Sequence, residues 1–325
     1  SLVSGAVLLA VMPLSDEIFR FIGHDAEVQR YEVDYFRVLC LGGFPAVASS
    51  ALSGFFIGMG RTWPVMWVNV LATAVNLALD YAMIFGRWGF PEMGVKGAAL
   101  ATVIAGACNV VAYALLVMRP SHNRRFATMR GWRFDRELFG RLMRFGVPSG
   151  AQFFVDVAGF TIFLMLLGRL GTVNLAATNI AFNINTLAFM PMIGIGIAVS
   201  TMVGQNIGRS RSDLAEKAAY SGFHVTFLYM GSVALLYVIA PGLFIAPFAS
   251  GADPARFGEI AALTVVLLRF VAAYSLFDTM NIVFASAIKG AGDTRFVMLM
   301  LLTVSTLVLV IPVYVVIEVL GMELY

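Results

Sequence analysis

The chain has 325 residues, 60% hydrophobic and 13% charged, with a formal net charge of +3 and a mean hydropathy of +0.86. Soluble domains carry about 25% charged residues, so this composition excludes an ordinary soluble enzyme or nucleic-acid-binding module. It indicates a polytopic membrane protein.

In chain order, the first apolar run, Leu2–Leu14, is too short to span a bilayer and has no basic segment or cleavage site of a signal peptide. It is expected to be the tail of a helix that begins before Ser1. An acidic loop follows, with Asp16, Glu17, Asp25, Glu27, Glu32 and Asp34. Apolar blocks then cover 36–59, 64–86, 95–118, 146–168, 175–203, 217–241, 260–288 and 296–320. Each approaches the roughly 20 residues a transmembrane helix needs. The ten-residue alternation of a membrane β-barrel is absent, so at least eight helical spans are expected. Cys40 and Cys108 sit inside spans without metal or disulfide spacing and read as buried small hydrophobes. His24, His122 and His224 form no metal-ligand pattern, and no phosphate-binding loop of an ATPase is present.

Charge sets the topology. The stretch from Arg119 to Arg144 carries eight arginines against Asp135 and Glu137, which places it on the cytoplasmic side. Alternation from there gives the cytoplasmic face fourteen Lys/Arg and the opposite face seven, with Arg269 inside a span. A basic loop between two spans is expected to meet anionic lipid, not nucleic acid.

The sequence contains a repeat. Gly58-Met-Gly-Arg-Thr-Trp-Pro-Val-Met66 returns 232 residues later as Gly290-Ala-Gly-Asp-Thr-Arg-Phe-Val-Met298, identical at five of nine positions. An even number of spans separates the copies, which implies parallel repeats about an axis along the membrane normal, with a substrate path between two lobes. Shifting the second copy onto the first leaves about 90 residues to be supplied before the chain and about 30 after it, giving six helices per lobe.

Three acids lie deep in the spans, Asp80, Asp156 and Asp278. An ionisable side chain at that depth costs about 2.5–3.5 kcal/mol on insertion scales and normally faces a cavity or an ion path. Asn69, Thr73, Asn76 and Asp80 share one helix face, and Thr102 on the next span can join them. Oxygen ligands of this kind suit Na⁺, and a buried carboxylate suits H⁺. Asn and Thr also hydrogen-bond between membrane helices, an alternative that stands for Asn69 and Thr73. Gln152 and Asp156 form a second stripe, and Tyr274, Asp278 and Asn281 a third. If their helices share a lobe, Asp156 and Asp278 can converge and share a proton or a monovalent cation. Otherwise each acid is balanced by Arg169 or Arg269. The block at 175–203 adds Asn179, Asn183 and Asn185, then Pro191 with Gly194 and Gly196, where a gating kink can form.

These residues resemble the multidrug and toxic-compound extrusion (MATE) family. The resemblance rests on the two glycine turns above and on Gly94-Val-Lys-Gly-Ala-Ala-Leu-Ala-Thr102, Gly146-Val-Pro-Ser-Gly-Ala-Gln152, Leu175-Ala-Ala-Thr-Asn-Ile-Ala181 and Gly204-Gln-Asn-Ile-Gly208, in order along the chain. It implies an all-α fold of twelve helices in two pseudo-symmetric six-helix lobes, this chain holding about eight full spans plus part of another. Residues 1–118 would be a partial N-terminal lobe, 119–144 a basic cytoplasmic connector, and 145–325 a C-terminal lobe without its last helix. It further implies a monomeric exporter in a bacterial inner membrane, not an enzyme. Such an exporter moves drug-like organic cations against inward Na⁺ or H⁺ by alternating access, without a cofactor. Asp156, Asp278 and Tyr274 would then carry cation coupling in one lobe, and Asn76, Asp80 and Thr102 in the other. Two rivals share features: a lipid-linked sugar flippase of the same superfamily, which should show deep cationic groups instead of acids, and a Gly-x-Gly-Asp intramembrane aspartyl protease centred on Asp293.

Overall fold

The computed structural model describes residues 2–22, 26–129, 134–168, 172–249 and 254–305. Among them only helices and turns occur: α1 (Leu2–Val11), a 3₁₀ turn (Met12–Leu14), α2 (Ser15–Ile22), α3 (Ala26–Gly58), α4 (Thr62–Ile84), α5 (Gly94–Val117), α6 (Pro120–Phe126), α7 (Arg136–Gly168), α8 (Thr172–Gly208), α9 (Ser212–Ile239), α10 (Pro241–Ala249), α11 (Pro254–Gly290) and α12 (Thr294–Ser305). By length and composition α3, α4, α5, α8, α9 and α11 can each cross a membrane. A bilayer offers no water to unpaired peptide groups, so helices that satisfy them internally are what such a sequence can form. The fourth expected span is the second half of α7, and the eighth is described only as far as Ser305.

The sequence reading needs correction in three places. The acidic segment is not a loop: Asp16 and Glu17 open α2, while Glu27, Glu32 and Asp34 lie on the first turns of α3. Acids at a helix start meet the positive end of its dipole. Two of them are also paired, Asp16 with Arg37 and Asp34 with Lys96 at 2.9 Å; Asp25 and His24 lie outside the described residues. The basic connector is partly helical, because Pro120 starts α6 and Asp135 caps α7 by accepting from the Glu137 and Leu138 amides. Finally, Cys40 is buried but Cys108 is exposed on α5.

The chain divides into two compact units, residues 1–134 and 135–325. In unit 1, α5 packs against both α3 and α4. Small residues permit the approach: a Cβ on Gly97 would lie 2.7 Å from the Met83 carbonyl oxygen, and one on Gly42 would lie 3.0 Å from Val103. In unit 2, α8, α9 and α11 form a three-helix core around Met192, Met230, Tyr237 and Leu268, while α7 packs on α8 and α12. A close seam lies between α8 and α11. A Cβ on Gly196 would meet Ser286 Oγ at 2.8 Å, and one on Gly290 would meet the Ser200 Cα at 2.8 Å. A Cβ on Gly204 would lie 3.0 Å from the Gly290 carbonyl oxygen. Small residues in this rhythm let backbones touch, which is how helices associate where lipid removes the hydrophobic incentive.

The repeated motif is a helix-ending turn. Gly60 N–H donates to the Ile57 carbonyl and Arg61 N–H to Phe56; 232 residues on, Gly292 donates to Lys289 and Asp293 to Ile288. Both glycines have positive φ, +72° and +95°, the left-handed geometry that closes a Schellman cap. The α8–α9 turn repeats the pattern with a non-glycine, Ser210, at φ +57°. Asp293 belongs to this device, accepting from the Phe296 amide at 2.9 Å to cap α12. That accounts for the Gly-x-Gly-Asp sequence without a protease.

Two predictions follow from these contacts. Gly290→Val should lower thermal stability by about 1–3 kcal/mol through overpacking, whereas Gly194→Ala, whose added methyl meets nothing within 4 Å, should not destabilise. Left-handed backbone costs a non-glycine residue about 1–2 kcal/mol, so Ser210→Gly should raise the unfolding midpoint and Gly292→Ala should lower it. Differential scanning fluorimetry of the detergent-solubilised chain reads all four.

Candidate functional site

Unit 1 collects most of its expected polar stripe in one cleft. Asn69, Thr73 and Asn76 on α4 and Thr102 on α5 line a cavity of about 250 Å³, joined by Asn109. Asp80 is not among its lining residues; it lies one turn beyond Asn76, with Oδ1 buried and without a protein hydrogen-bond partner. Asn76 Nδ2 and Asn109 Oδ1 are similarly buried and unpartnered. Asn69 is committed to structure, since its Oδ1 accepts from Asn109 Nδ2 at 3.3 Å and lies 3.3 Å from the Tyr113 hydroxyl. Thr102 donates to the carbonyl of Ala98 in its own helix at 3.0 Å, which leaves its oxygen lone pairs toward the cleft. Sequence reasoning missed Asn109 and Tyr113. Their signal was present, because Thr102, Asn109 and Tyr113 follow i, i+7, i+11 on α5.

Unit 2 draws the other two stripes toward each other. Gln152 on α7 and Asn281 on α11 line the same cavity of about 410 Å³ with Phe284, Val297 and Met300. Asn281 and Asp156 both lie within electrostatic reach of Asp278. Asp278 is half-buried, whereas Asp156 is exposed on the surface of α7. One turn before Asp278, the Tyr274 hydroxyl takes a hydrogen bond from Asn185 Nδ2 at 3.0 Å, tying α8 to α11. Gln152 Oε1, Asn185 Oδ1 and Ser275 Oγ are buried oxygens without protein partners.

Among the described residues, the cation within reach of Asp156 is not Arg269. Lys289, in the last turn of α11, lies within its electrostatic reach. Arg169 lies outside the described residues, and Arg269 makes no ion pair among them. Lys289 follows Asp278 by eleven residues, three helical turns along the same face, and that spacing was the missed signal. Asn179 and Asn183 are exposed on α8, away from this group, and Asn185 is the member of the trio turned inward. Helix α8 runs on through Pro191. The missing amide leaves the Leu187 carbonyl without its intrahelical donor.

Apolar membrane-length helices bearing buried, oxygen-rich polar groups define a helical integral membrane protein. Comparison with known proteins makes the class specific: the MatE family model matches residues 1–82 and 148–316, and the chain belongs to that family of multidrug and toxic-compound extrusion transporters. A Thermotoga maritima protein described as "Probable multidrug resistance protein NorM" is 28% identical over 294 residues, covering 90% of this chain and 61% of that one. A Pseudomonas syringae pv. tomato protein of the same description is 33% identical over 250 residues, covering 75% and 53%. The outward-facing structure of a multidrug resistance MATE family transporter superposes with a TM-score of 0.78 at 22% identity, covering 92% of this chain and 65% of that one. The chain thus spans about three fifths of the length of the Thermotoga relative.

The Asn185–Tyr274 contact gives a direct test of the α8–α11 tie. A double-mutant cycle with Asn185→Ala and Tyr274→Phe should return a coupling of about 0.6 kcal/mol, the average for hydrogen bonds between membrane helices. Additive losses in the unfolding free energies would show the two side chains to be energetically independent.

Proposed function

We propose that the protein is a secondary active exporter of amphipathic organic cations, driven by inward Na⁺ or H⁺ through alternating access. The observation that carries this reading is the set of buried oxygens without protein donors: Asp80 Oδ1 and Asn109 Oδ1 in unit 1, Gln152 Oε1 and Asn185 Oδ1 in unit 2. An unpaired buried acceptor costs about 1–3 kcal/mol and a carboxylate more, and a cation or proton supplies the missing partner. The donor sets fit a monovalent cation, which takes carboxylate, amide and hydroxyl oxygens.

In unit 2, two carboxylates in mutual reach cannot both stay charged and unpaired at low dielectric. An organic cation satisfies them in one state, and Na⁺ or H⁺ satisfies them in the other. Lys289 supports the exchange as a tethered positive charge beside Asp156, so that release of cargo never leaves that carboxylate alone. Tyr274 connects the exchange to helix position, because it sits one turn from Asp278 and is held by Asn185 of α8. Asn76, Asp80 and Thr102 offer unit 1 a second cation-coupling group. The bilayer is the working environment and no nucleic acid takes part.

The test is ethidium efflux from pump-deficient cells expressing the protein from its native gene, with Na⁺ and H⁺ gradients collapsed separately. Asp156→Asn and Asp278→Asn should each cut gradient-driven efflux about ten-fold or more, equivalent to roughly 1.4 kcal/mol of differential binding. Efflux at wild-type rate in both variants, or none from correctly inserted wild-type protein, would overturn the reading; the second result would turn attention to lipid-linked cargo.

A further inference from the structure

At one end of unit 1 the first three turns of α4 and the last two of α5 flank a groove of about 550 Å³. Its walls are apolar, with Trp63, Trp67 and Leu71 on one side and Leu115 on the other, and Arg119 stands at its mouth. These walls are open: Trp63 is 68% exposed, Trp67 61% and Leu115 66%. In a membrane-spanning bundle such a surface meets lipid, and tryptophan concentrates where acyl chains give way to headgroups.

The charge at this end has one sign. Arg61 precedes α4, Arg119 precedes α6, and Arg124 and Arg125 lie in the last turn of α6. None of the four has an acidic partner among the described residues. No Asp or Glu occurs between residues 35 and 79 or between 93 and 134. The short helix that carries two of these arginines is pinned in place, since Phe126 packs edge-on to Phe55 at 5.5 Å and His122 to Phe56 at 5.7 Å. Helix α6, which begins directly after Arg119, is thereby fixed on α3. Along α4 the groove runs from Trp63 to Leu71, about 12 Å of helix, close to the roughly 15 Å of one leaflet's hydrocarbon.

We propose that this groove is a binding site for an anionic phospholipid. One acyl chain lies between α4 and α5, and the phosphate meets Arg119, with the neighbouring arginines adding charge. A zwitterionic lipid would fill the apolar part equally well but gain nothing from the acid-free basic edge. The site is independent of the export reading and uses none of the polar residues assigned to cation coupling.

Native mass spectrometry of the purified chain in detergent tests it, using phosphatidylglycerol and phosphatidylcholine with identical acyl chains. The wild-type chain should retain phosphatidylglycerol preferentially. Arg119→Gln should reduce that preference about five-fold, the weight of one basic residue at an anionic surface, while Arg119→Lys should keep most of it. Leu115→Trp, which fills the groove without touching charge, should reduce retention of both lipids. Melting curves confirm that each variant is folded. An unchanged lipid preference in Arg119→Gln, or undiminished retention in Leu115→Trp, overturns the proposal. Displacement of phosphatidylglycerol by millimolar inorganic phosphate also overturns it and assigns the arginine to free phosphate.

Discussion

The close seam between α8 and α11 holds unit 2 together. Gly196, Ser200 and Gly204 on one helix face Ser286 and Gly290 on the other, and the polar contact from Asn185 to Tyr274 lies further along the same pair. The contacts advance together along both helices, so the two run parallel. In hydrocarbon, apolar side chains gain little by leaving lipid for a neighbouring helix, so association rests on close packing and on polar groups that find partners. The glycines allow the backbones to touch, and that approach places Asn185 within 3.0 Å of the tyrosine. Asp278, one turn on, therefore inherits its position from residues that carry no chemistry. Unit 1 uses the same device, Gly97 against Met83 and Gly42 against Val103.

What the sequence revealed and what it hid divide along physical lines. Span positions were legible because bilayer thickness sets a length and composition sets a depth. The deep acids stood out because their insertion cost makes them rare. The turn at Gly290 was legible as a repeat, since a left-handed cap leaves little freedom in residue choice. Hidden were relations between helices. Spacing puts Asn179, Asn183 and Asn185 near one another in sequence, yet only the last faces inward, because its face of α8 is the one that α11 covers. Spacing alone did not single out Lys289 as a neighbour of Asp156, because that relation depends on how α7 packs on α8 and α12. The acidic segment misled for another reason: its charges read as loop, but they sit at helix starts where the dipole favours them.

Among the described residues the two repeats are alike in sequence and unlike in covering. In unit 1, Phe56 and Val68 are buried beneath Tyr113 of α5, with Leu52 and Val65 beside them. Their counterparts 232 residues later, Ile288, Met300, Phe284 and Val297, line the open cavity between α11 and α12. This apolar face accounts for the character of that cavity. It also explains why Gln152 and Asn281 stand out at its edge: they are the polar rim of a surface otherwise shaped for packing.

The Schellman turns at Gly60, Ser210 and Gly292 have a mechanical consequence. Each joins two long helices through about three residues whose backbone angles are fixed by hydrogen bonds, so each pair is clamped at one end like tongs. Helix α9, 28 residues long, extends about 42 Å from its turn, and a rotation of one degree at the clamp moves its far tip by roughly 0.7 Å. Angular play too small to disturb the turn thus becomes displacement of several ångströms across the membrane, and the stiffness of three short turns sets how far the opposite ends can spread.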